Sequence, residues 1–143
     1  MPEADLAEAL TRSVEEVLET MCFAQAVPVQ DTPELEDKLS ICVPFHGSRS
    51  GSLQMLVSRS EAIALTANFL GTTRDQISNE QMDETACELA KTICGHLMSA
   101  LDPAARLTIN VPSARPPEHH GSGITRLFFR LEAGFLGLSI QFD

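Results

Sequence analysis

The chain has 143 residues, 43% hydrophobic and 21% charged, enough to bury roughly two-thirds of its unfolded surface around one core. Ten Lys and Arg oppose twenty Asp and Glu, a formal charge of −10, and Trp and Tyr are absent; this argues against a nucleic-acid binder, which needs a basic footprint and stacking platforms. No run approaches the ~20 apolar residues of a membrane span, and the acidic start MPEADLAEAL is unlike a basic signal peptide, so a cytoplasmic protein with no membrane partner is expected.

From about Ala4 to Met21, Leu6, Leu10, Val14, Val17, Leu18 and Met21 fall on one side of a helix, with Glu3, Asp5 and Glu8 at its positive end. AVPVQDTPELED (26–37) holds two prolines and several turn formers and reads as a loop or irregular edge. LSICVPF and GSLQMLVS bracket HGSRSG, two β-type runs around a Gly/Ser turn, an antiparallel hairpin. SRSEAIALTANFLG packs Ala62, Ile63, Leu65, Ala67, Phe69 and Leu70 into a helix that stops at Gly71, a favoured C-terminal cap.

Ser78 and Gln81 fit a capping box opening a long helix, which Asp102-Pro103 closes. RLTINV (Arg106 to Val111) reads as a strand, and Pro112 to Gly123 as a long Pro/Gly-rich loop of undetermined role. ITRLFFRLE and GFLGLSIQF form a second hairpin around Ala133-Gly134, with Phe135, Leu138, Ile140 and Phe142 in its apolar pattern. The order predicts an α+β fold, helices packed on a mainly antiparallel sheet, with residues 1–143 as a single domain.

The chemistry-bearing candidates are few. Cys22, Cys42, Cys87 and Cys94 form no CxxC pair and no ladder of metal-ligand spacings, and Cys87 and Cys94, within an apolar helical pattern, are expected to be small buried side chains rather than a metal or redox centre. EHHG (118–121) puts two adjacent histidines in a loop without spaced ligand partners, and His46 and His96 stand isolated. No P-loop, GxGxxG or GxSxG occurs. The long helix is more informative. Met82, Ala86, Leu89, Ala90, Ile93, Cys94, Leu97 and Leu101 occupy one half, while Glu84, Glu88, Lys91 and Gly95 fall within roughly 60° of one another on the other.

A solvated face is the ordinary explanation for that row, with Glu88 and Lys91 paired three residues apart for about 0.2–0.5 kcal/mol. Gly95 sits badly with it, because glycine inside a helix costs about 1 kcal/mol relative to alanine. An outward glycine makes sense where a partner's backbone approaches closely. The row fits a docking face better than mere solubility.

ETACELAKTICGHL, preceded by VEEVLETM in the first helix and by GSLQMLVSRSEAIALTANFLG, resembles the CheX branch of the CheC/CheX/FliY phosphatases, which act on the phosphorylated receiver CheY in bacterial chemotaxis. The order of elements matches over nearly the whole chain. The family motif is Glu-x-x-Asn, a glycine four residues on and a proline some twenty-odd later; Glu88, Gly95 and Pro112 stand at or near those places, and Lys91 at the asparagine. The resemblance implies a single CheX-like domain that binds a phosphorylated response-regulator receiver through Glu84, Glu88, Lys91 and Gly95, and pairs as a homodimer through sheet edges. It also implies a candidate aspartyl-phosphate phosphatase with a degenerate motif, Glu88 docking and Lys91 in the water-positioning place. No cofactor of its own is implied, any Mg²⁺ belonging to the receiver. In the family asparagine orients the attacking water, whereas a protonated lysine has three donors and no acceptor. Two other readings therefore stand beside the enzyme: a catalytically inactive receiver- or partner-binding module, and a structural oligomerisation domain.

Overall fold

The computed structural model describes residues 3–35, 37–104, 107–114 and 124–143. Within them the chain runs α1 (Glu3–Cys22), β1 (Val27–Val29), β2 (Lys38–Gly47), β3 (Gly51–Ser58), α2 (Arg59–Leu70), a 3-10 turn (Arg74–Gln76), α3 (Asn79–Leu101), β4 (Leu107–Ile109), β5 (Ser113–Ala114), β6 (Ile124–Arg130) and β7 (Phe135–Phe142). All seven strands join one sheet in the order β1-β6-β7-β3-β2-β4, with β5 pairing β2, and every described pairing is antiparallel. The α+β layering expected from the element order is therefore present.

Both ends of α3 and the end of α2 have a local cause. Ser78 Oγ accepts from the Gln81 N–H at 3.1 Å while the Ser78 N–H donates to Gln81 Oε1 at 2.9 Å, closing the capping box. At the far end the Asp102 N–H returns to the Met98 carbonyl, and Pro103 follows. Gly71 ends α2 at φ 69° and ψ 37°, the left-handed conformation that a side chain would strain.

The core lies between the helices and the inward residues of the sheet. Ile41, Val43 and Phe45 of β2, Leu53, Met55 and Val57 of β3, and Leu136, Leu138 and Ile140 of β7 alternate inward as pleating requires. Leu10, Val14, Val17 and Leu18 of α1 meet them with Ala86, Leu89, Ala90, Ile93, Cys94 and Leu97 of α3. Burying a side chain of this size contributes roughly 1.5–3 kcal/mol before entropy is subtracted. Leu6, Met21 and Leu101, expected on these faces, are half-buried at their margins.

Three apolar assignments need correction. Phe69 and Leu70 are 40% and 46% exposed, because they close α2 beyond the edge of the packed face. The buried positions of that helix include Glu61 and Thr66 instead. Phe135 has the opposite parity to Leu138 and Ile140, so the two-residue period turns it away from their face.

The Pro-rich stretch 26–37 contributes only β1, a three-residue edge strand. Pro28 at its centre supplies no N–H. The strand expected over Arg106 to Val111 is shorter among the described residues, Leu107–Ile109, with Arg106 outside them. Pro112 leads into β5, which pairs Cys42 with Ser113. The rest of the expected loop, including EHHG, lies outside the described residues.

Candidate functional site

The apolar half of α3 packs on the core, and the polar row on its other half therefore faces outward. Glu84, Glu88 and Lys91 are exposed, and Gly95 is half-buried. Met82, Thr85, Ala86, Leu89, Ala90, Ile93, Cys94, Leu97 and Met98 face in.

The edge of the sheet supplies a wall beside this row. β4 pairs with β2 through Phe45↔Ile109, and the next residue, Asn110, donates its N–H to the Pro44 carbonyl at 2.9 Å. The segment Ile109 to Pro112 thus runs alongside α3. Between them lies a cleft of about 500 Å³ lined by Asp83, Glu84, Cys87, Glu88 and Lys91 from the helix and by Ile109, Asn110, Val111 and Pro112 from the edge. A shallower depression of about 650 Å³ continues past Lys91 to Gly95, His96 and Ser99. The structure therefore brings Glu84, Glu88 and Lys91 into one cleft and sets Gly95 in the adjoining hollow. Pro112, on the opposite wall, joins them.

The expected Glu88–Lys91 ion pair is absent. Among the described residues no carboxylate lies within ion-pair distance of the Lys91 ammonium, and Glu88 is engaged only through its carbonyl, which accepts from Thr92 Oγ at 2.8 Å. The cleft thus carries three carboxylates and one cation.

Gly95 can be weighed directly. A Cβ built there would meet Ile109 Cδ1 at 3.5 Å, ordinary van der Waals contact. Internal packing has room for alanine, so the helix forgoes about 1 kcal/mol that the fold does not demand.

Cys22, Cys42 and Cys94 are buried, Cys87 half-buried, and all four are free. Burial pushes the Cys22 and Cys94 thiols up to about 12, with Glu61 adding to the shift at Cys22. Burial also raises Cys87, helped by the Asp83 carboxylate. Among the described residues no group of three His, Cys, Asp or Glu could hold a metal ion.

His96 is not isolated. Its Nδ1 lies 2.8 Å from Ser13 Oγ and its Nε2 3.1 Å from Glu16 Oε2. The carboxylate can only accept, so Nε2 carries a proton and, in the neutral ring, Nδ1 accepts from the fully buried Ser13 hydroxyl. This clamp ties α3 to α1 next to Gly95. Its partners are 83 and 80 residues away in sequence, so no spacing could reveal it. Asn110 was also hidden, lying one residue beyond a short strand, and its only signal is its place before Val111 and Pro112.

Comparison with known proteins decides the family. The model for "Chemotaxis phosphatase CheX" matches residues 39–122, more than half of the chain and the whole of α3. The chain belongs to the CheX family. No curated protein matches the chain. A CheX from Vibrio vulnificus has a TM-score of 0.81 at 19% identity, covering 100% of this chain and 99% of the other. A CheX from Desulfovibrio desulfuricans gives 0.78 at 20%, covering 97% and 99%. The CheX of a CheX–CheY–BeF3–Mg²⁺ complex from Borrelia burgdorferi gives 0.75 at 18%, covering 96% and 97%. At these identities the three structures establish the fold. They extend the likeness to α1, which the family model leaves out. This CheX-family chain has no helix among its described residues that is long and apolar enough to cross a membrane.

Proposed function

We propose that this chain docks a phosphorylated response-regulator receiver on the Glu84–Gly95 row of α3 and speeds hydrolysis of its phosphoaspartate. The observation that carries this reading is the cleft itself. It holds Glu88 and Lys91 three residues apart on one helix face, neither ion-paired among the described residues, and it adjoins a hollow with a glycine that packing does not require. Family membership supports the activity class, and the Borrelia burgdorferi relative, similar over 96% of this chain, was solved with CheY.

The chemistry divides among the residues present. Glu88 offers a carboxylate to donors around the receiver's active site, and Glu84 extends that anionic contact by one helical turn. Lys91, at the place of the motif asparagine, sets a mobile ammonium where phosphoryl oxygens gain charge as the P–O bond breaks. Gly95 lets the receiver's backbone come close. The Mg²⁺ of such a reaction is held by the receiver, so this chain needs no cofactor.

Lys91 favours a second reading. A lysine ammonium accepts no hydrogen bond and cannot orient water as an amide carbonyl does, which suits a module that binds the receiver without catalysis. Adding the chain to a phosphorylated receiver and following the phosphoaspartate separates the readings. Faster decay is expected for the enzyme. Binding with unchanged decay leaves the module, and no binding removes both.

A further inference from the structure

Hydrolysis of a phosphoaspartate needs an acceptor beside the attacking water, and the cleft restricts where one can come from. Lys91 has donors only. Asp83, Glu84 and Glu88 have acceptors, but a carboxylate at the water would stand against the negative oxygens of the phosphoryl group. Ile109, Val111 and Pro112 have apolar side chains, and Cys87 offers a weak acceptor. Among the described residues that line the cleft, Asn110 is the one with a neutral side chain and a strong acceptor oxygen.

Resting on the phosphatase reading above, we propose that Asn110, on the sheet edge, supplies the water-orienting carboxamide that α3 lacks at Lys91. Its backbone is suited to the task. The N–H is pinned to the Pro44 carbonyl at 2.9 Å, Ile109 before it is paired with Phe45, and Pro112 two residues on restricts the chain. Its carboxamide has no hydrogen-bond partner among the described residues, and the residue is exposed and lines the cleft.

The step then balances without a base. Asn110 Oδ1 accepts one water O–H and aims the oxygen at phosphorus. The new P–O bond forms as the bond to the aspartyl oxygen breaks, that oxygen keeping the electron pair as carboxylate. Both water protons end on the released phosphate. Lys91 meets the phosphoryl oxygens from the helix side, so the two walls divide water and charge between them.

The test uses a CheY-type receiver phosphorylated with acetyl phosphate and freed of the donor, titrated with the full chain, Asn110→Ala and the near-isosteric Asn110→Leu. Decay at saturation gives the limiting rate, and the concentration dependence gives affinity. Removing a water-orienting group is expected to lower the limiting rate about 100-fold in both variants, with affinity and melting temperature unchanged. A merely structural role would move affinity or melting instead, and that result overturns the assignment. Unchanged limiting rates in both variants, or a parent chain that binds without accelerating decay, also overturn it while leaving receiver docking intact. A parent chain that does not bind removes docking and the assignment together.

Discussion

At the scale of single residues, Gly95 separates a docking face from a solvated one. Alanine there would meet Ile109 at an ordinary contact distance and improve helix propensity. We expect Gly95→Ala to stabilise the fold by up to about 1 kcal/mol, roughly 3 °C in melting temperature. The added methyl stands where the receiver's backbone would approach, so binding should weaken about tenfold. Calorimetry and a receiver titration read the two effects separately. A variant that melts higher and binds as before would show that Gly95 faces only water. Lys91 is the other decisive residue, because an ammonium with no ion pair among the described residues is readily recruited by an anionic group of a partner.

Between elements, polar side chains fix α3, which carries the cleft, and separately α2. The Ser13–His96–Glu16 clamp fixes α3 against α1, keeping the Gly95 end of the row in place. On the other side of the molecule Glu61, 2% exposed at the start of α2, accepts from the Ala133 N–H at 2.7 Å and holds the β6–β7 turn. Burial raises the Glu61 pKa above 4.5, more than the hydrogen bonds from the turn lower it. The folded state therefore binds the proton more tightly than the unfolded chain. The stability this contributes is fully present below pH 4.5 and is lost as pH rises through the raised folded value. Glu61→Gln keeps an acceptor and cannot ionise. Its melting temperature relative to the parent should climb from pH 4.5 upward and then level off, as thermal scans across that range would show. A difference that stays flat with pH would mean that Glu61 ionises without cost.

Over the whole molecule, signals within a few residues were legible and pairings across the chain were not. Ser78 with Gln81, Gly71, and the turn between Phe45 and Gly51 each declare themselves locally, so α2, α3 and the first hairpin follow from the sequence. The polar row was equally legible because 3.6-residue periodicity alone places Glu84, Glu88, Lys91 and Gly95 together. Its opposite wall was not, since Asn110 reaches the cleft only through pairing of β4 with β2, some sixty residues earlier. Phe69 and Leu70 misled for a related reason: an apolar run gives no sign of where the covering face stops. The central claim is that this row, rather than another surface, receives the phosphorylated receiver. Titrating that receiver against the parent chain and against Glu84→Lys/Glu88→Lys tests it most directly, because both positions are exposed and their reversal leaves the core untouched. Affinity should fall at least about tenfold with the melting temperature essentially unchanged; equal affinity in the two proteins would contradict it.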